Sequence, residues 1–290
     1  MQFPPSELIL NADGSIYHLN LLPQDLAPIV ITVGDPDRVD KISKYFDTIT
    51  VKKQKREFKT HTGTYKGTHL TVISSGIGTD NIDIVLNELD ALVNIDLSSR
   101  KIKETLTSLK IIRLGTSGAI QPEIEIDSIL ISKTAIGFDG LLHFYDSKSV
   151  QDFKAQKAFI EHTSWDTDKS KPYVVESDKS MFSHFKNMCN HIGFTATNIG
   201  FYAPQGRLLR GQLQDQKLNS KIASFTFKNT QITNLEMETS GIYGLSSLLG
   251  HQAISLNAIL ANRSLGTFSK NADKTVDLMI KSALDLIKLL

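Results

Sequence analysis

The sequence predicts a single α/β domain in which helices flank a mixed, mostly parallel sheet. Short β-branched and aliphatic runs alternate with segments of helical periodicity, the pattern of strands joined by helices. The 290 residues, 40% hydrophobic and 22% charged, suffice for one large core or two small ones. No shift in composition marks a boundary, so we interpret residues 1–290 as one domain.

Six apolar runs predict strands: 29–33, 70–73, 109–114, 128–136, 194–199 and 253–261. Between them, Asp35 can cap a helix that has Pro36 at its first position. Asp80 or Asn81 can cap the next helix, and helical periods also occupy 181–191, 237–249 and the C-terminal end.

The stretch 239–262 has no charged residue, but Gly250 interrupts it, so it predicts a buried helix, a turn and a buried strand rather than a membrane span. The polar segments 94–108 and 164–178 are predicted to be surface insertions.

The charges are balanced, with 32 Lys and Arg against 31 Asp and Glu, a net charge of +1. This balance indicates no nucleic-acid or membrane partner. The single cysteine, Cys189, excludes an intramolecular disulfide and favours the reducing cytoplasm; we interpret it as an inert core thiol. The start lacks a basic segment typical of a signal peptide. His61 and His69, beside a predicted hairpin, are expected at the surface rather than as metal ligands.

Glycine-containing segments follow three predicted strands, at Gly34, at 76–78 and at 115–118, and the last strand ends in Asn262-Arg263. Because the carboxyl ends of parallel strands meet at one edge of a sheet, these segments predict a common site. The sequence has no P-loop, no complete dinucleotide fingerprint and no HExxH metal motif.

Two arginines near these strand ends are candidate anion ligands. Arg38 follows Gly34 at a strand–helix junction, where helix amides and a guanidinium favour an anion, although a capped turn with a surface arginine fits equally well. Arg113 lies in an otherwise apolar strand, so it either pairs with a buried carboxylate or faces an anion. We favour a phosphate, with Thr116 as a further donor.

Two other motifs suggest sugar and base recognition. Glu236 and Glu238 precede a long uncharged run, and they either bind a ribose diol or cap the helix. In the segment 201–207, Gln205 can pair with the polar edge of a pyrimidine and Arg207 can donate to its carbonyl, while an ordinary exposed loop is the alternative.

Taken in order, these motifs resemble the nucleoside phosphorylase-I family, and within it the members that act on uridine. The resemblance covers nearly the whole chain from about residue 17. The matching stretches are YHLNL, GDPDRV, REF, SGIG, RLGTSGAIQP, FDGLLHF, FYAPQGR, EME and ANR.

The resemblance implies a role for each matching residue and a phosphorylase/hydrolase-like fold. Phosphate would be held by Gly34, Arg38, Arg113 and Thr116, with Arg56 added from a neighbouring subunit. Ribose would contact Glu236, Met237, Glu238 and the neighbour's His18. The base would be read by Phe201, Gln205 and Arg207, with support from Arg263.

The implied reaction is reversible phosphorolysis of uridine to uracil and ribose 1-phosphate, with deoxyuridine and thymidine open as further substrates. Phosphate attacks C1′ directly, so no protein nucleophile and no organic cofactor is expected. We expect Arg38, Arg113, Thr116, Glu238 and Arg207 to carry the catalysis.

Three alternatives remain open. A purine nucleoside phosphorylase of the family would need an aspartate where this chain has Asn262-Arg263. A nucleosidase would not need the arginine cluster, and a non-catalytic nucleoside-binding protein could lose it.

The resemblance also implies a homo-oligomer built from two-fold dimers, with a hexamer expected. In bacterial members a potassium ion lies at the dimer interface. Glu57, Ile77 and Asn81 match its position, although Thr79-Asp80-Asn81 departs from the family's usual Gly-Pro-Ser.

Overall fold

A computed structural model describes residues 2–290, which form fourteen strands and seven α-helices. The strands are β1 Ile29–Val33, β2 Thr48–Lys55, β3 Phe58–Tyr65, β4 Thr68–Ser74, β5 Ile95–Asp96, β6 Lys101–Ile102, β7 Lys110–Ala119, β8 Ile129–Gly137, β9 Tyr173–Glu176, β10 His191–Thr197, β11 Thr226–Phe227, β12 Thr230–Glu236, β13 Gln252–Asn262 and β14 Thr267–Phe268. The helices are α1 Pro36–Ser43, α2 Thr79–Asn94, α3 Phe153–Thr163, α4 Lys179–Phe185, α5 Leu218–Ser224, α6 Thr239–Leu248 and α7 Ala272–Ile287.

Twelve strands form one mixed sheet, in the order β11-β12-β10-β8-β13-β7-β1-β4-β3-β2, with β9 added to β8 and β14 to β13. The middle pairs β4–β1, β1–β7 and β7–β13 are parallel, as are β8–β10 and β10–β12. The far end of β7 also pairs with β12, so the strands from β7 through β13, β8, β10 and β12 close on themselves. The predicted α/β class with a mixed, helix-flanked sheet is confirmed.

Helices cover both faces of the sheet and bury its aliphatic side chains. On one face α2 and α6 pack on β1, β4 and β7, and on the other α1, α4 and α7 pack on the same strands and on β13. A third apolar cluster fills the space under α3 and α5 around Phe159 and Phe194. No helix in residues 2–290 has the length and apolarity needed to cross a membrane.

The predicted strands lie where the apolar runs place them, and several other details differ. The helix predicted over 181–191 is shorter, because α4 ends at Phe185 and β10 begins at His191. β7 continues through 115–118, which was expected to be a loop, because β13 provides backbone partners as far as Ala119. α2 begins at Thr79 after Gly78, whose φ of 97° suits glycine, so the predicted caps Asp80 and Asn81 lie inside its first turn.

The predicted surface insertion 164–178 is wrong in its second half, because it contains β9. Tyr173 and Val174 there are buried against β8. The segment 94–108 carries the small hairpin β5–β6 with a mostly exposed loop. His61, expected at the surface, is buried on β3 and its Nδ1 lies 2.8 Å from Ser43 Oγ.

Candidate active site

A cavity of about 810 Å³ opens beside the ends of β1, β4, β7, β12 and β13. Most of the predicted site residues line it. They are Gly34, Arg38, Glu57, Ile77, Asn81, Arg113, Thr116, Phe201, Gln205, Arg207, Glu236, Met237 and Glu238. The predicted convergence of strand ends on one site is therefore present in the structure.

Arg38 reaches the cavity from the first turn of α1. The carboxylate of Asp35 accepts from Asp37 N at 2.9 Å, so this capping bond occupies an amide that an anion could have used. The anion-binding potential of this corner therefore resides mainly in the Arg38 guanidinium. Within residues 2–290 it makes one hydrogen bond, from Nη1 to Leu114 O at 3.2 Å. Burial and the positive charge of Arg113 lower the pKa of Arg38, as expected for two neighbouring cations.

Arg113 is buried at the cavity wall and paired with carboxylates. Its Nη2 lies 2.6 Å from Glu238 Oε2 and 3.2 Å from Glu236 Oε2, and its Nη1 donates to Asn257 Oδ1 at 2.9 Å. Burial lowers the pKa of Arg113, but the charges of Glu236 and Glu238 raise it by more, so this pKa is raised overall. Of the two interpretations of this arginine, the structure shows the carboxylate pairing, in a side chain that also borders the cavity.

Gly115 makes this arrangement of Arg113 sterically possible. A Cβ at position 115 would overlap the guanidinium group, which folds back over the strand. Next along β7, Thr116 lines the cavity, and its hydroxyl has no hydrogen-bond partner within residues 2–290. Arg113 and Thr116 therefore present donors to the cavity from one strand.

The two glutamates before α6 have different roles. Glu236 Oε2 accepts from Glu238 N and Thr239 N, each at 2.9 Å, and its Oε1 accepts from Thr197 Oγ1 at 2.6 Å. The contacts of Glu236 therefore match helix capping, the alternative to ribose binding, although the residue also lines the cavity. Its carboxylate is committed to donors of the chain itself.

Glu238 also lines the cavity, and its partners differ from those of Glu236. Its Oε1 accepts from Gly78 N at 2.9 Å while its Oε2 binds Arg113. Burial raises the pKa of Glu238, although the charge of Arg113 opposes the change. The structure thus holds one oriented carboxylate beside Met237, which also lines the cavity.

The opposite wall carries the predicted base-reading residues. Arg207 Nη1 donates to Gln205 Oε1 and to Phe201 O, both at 2.6 Å, and the guanidinium stacks 3.7 Å from the centre of the Phe201 ring. Arg263 Nη1 donates to Gln205 O at 3.1 Å. Burial, with the charge of Arg263, lowers the pKa of Arg207 to about 10, so the side chain stays charged at neutral pH.

Hydrogen bonds fix the Gln205–Arg207 turn around Gly206. Gly206 has a φ of 66°, and Asn219 Nδ2 donates to Gln205 O at 2.8 Å across it. The amide of Gln205 is buried and its oxygen is held by Arg207. This geometry orients the amide for a planar ligand.

The two residues expected from a neighbouring subunit lie outside this chain's cavity. Arg56 is exposed at the β2–β3 turn with a φ of 54°. His18 lines a separate cavity of about 560 Å³, where its Nδ1 lies 2.6 Å from Glu88 Oε1.

The residues matched to a potassium site, Glu57, Ile77 and Asn81, lie together at one side of the cavity. They provide carboxylate and carbonyl oxygens, the donor type that hard cations prefer. The amide nitrogen of Asn81 points toward Ile77 O at 3.5 Å, so its oxygen faces elsewhere. Within residues 2–290 no group of three or more His, Cys, Asp or Glu side chains has the arrangement of a metal site.

Two further predictions concern single residues. Burial raises the pKa of the Cys189 thiol to about 12, which agrees with an inert thiol. Asn262 donates to Gln121 O and Ile124 O, both at 2.9 Å, and thus has a structural role at the end of β13.

Sequence reasoning missed three residues that hold the site together. Asn257 binds Arg113, Gly78 N binds Glu238, and Thr197 binds Glu236. A buried amide within the uncharged strand at 253–261 was a signal for Asn257. Gly78 and Thr197 act through contacts between distant segments, which a sequence pattern does not reveal.

Comparison with known proteins identifies the family of the chain. A protein-family model described as "Phosphorylase superfamily" matches residues 28–288 of the chain.

The chain belongs to the phosphorylase superfamily.

This phosphorylase-superfamily chain is similar to named relatives along nearly its full length. It is 31% identical to a uridine phosphorylase of Thermococcus kodakarensis, over 99% of this chain and 91% of the relative. It is 27% identical to a uridine phosphorylase of Escherichia coli, over 87% of each. A crystal structure of a Trypanosoma brucei nucleoside phosphorylase, described as showing uridine phosphorylase activity, matches with a TM-score of 0.89 and 30% identity, over 98% of this chain and 100% of that one.

Proposed function

We propose that this chain catalyses the reversible phosphorolysis of uridine to uracil and ribose 1-phosphate. One observation carries the proposal: two neighbouring guanidinium groups and one oriented carboxylate face a cavity whose other wall holds a fixed amide–guanidinium pair. The cations suit an oxyanion, the carboxylate suits ribose hydroxyls, and the amide–guanidinium pair suits a pyrimidine edge. The named relatives support the same activity.

The reaction needs positioning and charge stabilisation rather than a protein nucleophile. A phosphate oxygen held by Arg38, Arg113 and Thr116 attacks C1′, and the C1′–N1 bond breaks with its electron pair passing to uracil. Glu238 accepts hydrogen bonds from the ribose hydroxyls and so orients the sugar. Gln205 and Arg207 donate to the carbonyl oxygens of uracil, where negative charge grows.

We propose further that the complete site needs two copies of the chain. Arg56 and His18 lie outside the cavity of their own chain, and the Arg56 side chain is exposed on a turn beside Glu57, which does line it. A two-fold dimer would let each copy lend these two residues to the other, and a hexamer would repeat that dimer.

The deciding experiment is an assay of uridine with and without inorganic phosphate, followed by product analysis. We expect uridine to be lost only when phosphate is present, with uracil and ribose 1-phosphate formed in equal amounts. Unchanged turnover without phosphate would indicate a nucleosidase, and faster cleavage of inosine or adenosine a purine phosphorylase. No turnover with tight nucleoside binding would indicate a binding protein.

Two additional measurements test the mechanism and the ion. Direct attack predicts that labelled uracil does not exchange into uridine when phosphate is absent, because no ribosyl-enzyme forms. A potassium ion held by Glu57, Ile77 and Asn81 would neutralise the charge of Glu57 at the cavity edge. Replacing potassium salts by choline salts should then raise the KM, and an Asn81→Ala variant should lose that sensitivity.

A further inference from the structure

Asn257 is a buried amide with no assigned role in the proposed reaction. It lies in the middle of β13, has no exposed surface, and sits opposite Gly115 in the parallel pairing with β7. Its Oδ1 accepts from Arg113 Nη1 at 2.9 Å, and its Nδ2 donates to Ser132 Oγ at 3.0 Å. It therefore connects the cavity arginine to the interior of the sheet.

The orientation of this amide follows from the chemistry of its neighbours. A guanidinium only donates hydrogen bonds, so the oxygen of Asn257 must face Arg113 and the nitrogen must face the hydroxyls. The other hydrogen-bonding side of Arg113 is taken by Glu238. Asn257 thus provides a neutral acceptor on one side of Arg113, with carboxylates on the other.

A chain of buried hydrogen bonds holds Asn257 in place. Ser132 Oγ lies 2.6 Å from Thr195 Oγ1, which donates to Asn234 Oδ1 at 2.9 Å, and Asn234 Nδ2 donates to Ser117 Oγ at 3.0 Å. Ser117 itself lines the cavity. The network begins and ends at the site, and a satisfied buried network of this kind restricts the motion of its members.

We propose that Asn257 is a positioning residue that directs the Arg113 guanidinium toward phosphate without adding a further negative charge beside it. This inference rests on the proposed function, because it takes Arg113 to be a phosphate ligand. A carboxylate at position 257 would also orient Arg113, but it would add a third negative charge beside the oxyanion. A neutral amide orients the arginine without that repulsion.

The first test compares Asn257→Ala with Asn94→Ala by titration calorimetry with inorganic phosphate. Asn94 is also a buried amide, but it binds Asp90 and Thr107 O, and neither residue lines the cavity. We expect Asn257→Ala to raise the Kd for phosphate about tenfold, because the Arg113 guanidinium loses the acceptor that fixes its direction. Asn94→Ala should bind phosphate like the wild type even if both variants melt at lower temperature.

The second test uses the nearly isosteric Asn257→Asp and a readout that a purely structural role would not change. The ratio of its phosphate Kd to that of the wild type, measured at each pH, should rise with increasing pH. The new carboxyl is neutral at low pH and becomes a repelling anion as the pH passes its pKa. Taking the ratio removes the effect of phosphate's own ionisation, which both proteins share.

The outcomes separate this inference from the proposed function. A wild-type protein that binds no phosphate would refute the proposed function, and this inference with it. The role of Asn257 alone would be refuted if the wild type binds phosphate and either of two results is found. One is an equal phosphate Kd in Asn257→Ala, and the other is a pH-independent Kd ratio in Asn257→Asp.

Discussion

Arg207 holds the base-facing wall of the cavity together. It donates to Gln205 Oε1 and Phe201 O and stacks on the Phe201 ring. Its guanidinium is half-buried and close to Arg263, so the proposed mechanism would place two positive charges near a departing uracil.

Removing this group should affect uridine far more than phosphate. We expect Arg207→Ala to lower kcat/KM for uridine about a hundredfold, through both a higher KM and a lower kcat. Steady-state kinetics at saturating phosphate measure this effect, and calorimetry should show unchanged phosphate binding. Arg210→Ala, an exposed arginine in the same loop, is the control. Wild-type kinetics in Arg207→Ala would contradict the assignment of Arg207 to base binding.

At the scale of elements, the junction of β12 and α6 places two glutamates side by side with different partners. Backbone amides of α6 hold Glu236, whereas Glu238 turns to Gly78 and Arg113. One intervening residue, Met237, therefore separates a carboxylate that caps the helix from one that binds the cavity arginine.

The two glutamine variants should separate these roles. Glu236→Gln turns an NH₂ group toward donors, and we expect it to lower the free energy of unfolding by about 2–4 kcal/mol. Glu238→Gln should lower kcat/KM by about a hundredfold with a smaller loss of stability. Denaturant titration and kinetics measure the two effects. Equal losses of stability and of kcat/KM in the two variants would contradict these separate roles.

β7 gives a second prediction at this scale, because Gly115 provides the space for Arg113. Gly115→Ala should displace the guanidinium and raise the phosphate Kd by roughly tenfold or more, while circular dichroism shows a folded protein. Gly118→Ala on the same strand is a useful comparison, since its new methyl group would meet nothing closer than 3.6 Å. A smaller rise in Kd is expected there, and an equal rise would attribute the effect to the strand as a whole.

The elements show how far the sequence could predict the fold. Apolar runs and periodicity located the central strands and α6, because burial dictates those patterns. They did not predict that β7 continues through 115–118 or that β9 forms within 164–178. Both depend on backbone partners supplied by distant strands, β13 and β8. Likewise, Glu236 and Glu238 could not be told apart before their partners were known.

At the scale of the whole molecule, the proposed dimer makes a quantitative prediction. Arg56→Ala removes a residue lent to the neighbour, and Glu238→Gln removes one used in the chain's own cavity. In a random one-to-one mixture half the dimers carry one copy of each, and each such dimer has one intact site. We therefore expect a co-expressed mixture to recover about a quarter of wild-type activity, although each variant alone is nearly inactive.

Activity in the mixture that equals the average of the two separate variants would contradict shared sites. Native mass spectrometry of the same samples, which separates the dimers by the mass lost in Arg56→Ala, establishes whether subunits have mixed. The assignment of Arg56 and His18 came from resemblance, and one chain could not have provided it, because the residues lie outside their own cavity. Arg38, Arg113 and Thr116 could be inferred from strand ends, whereas Glu57, Ile77, Asn81 and Met237 were assigned by the resemblance.

The ion pair between Arg113 and Glu238 has a consequence for the behaviour of the empty cavity at cellular ionic strength. A bare buried cation would attract chloride, and each catalytic cycle would first have to expel it. Here the chain's own carboxylate, 2.6 Å away, already balances that charge. A small monovalent halide gains little by entering, whereas an oxyanion with several acceptor atoms can engage Arg38, Arg113 and Thr116 together. We therefore expect the Arg113–Glu238 pair to weaken halide binding at Arg113, whereas Arg38 makes no ion pair within residues 2–290.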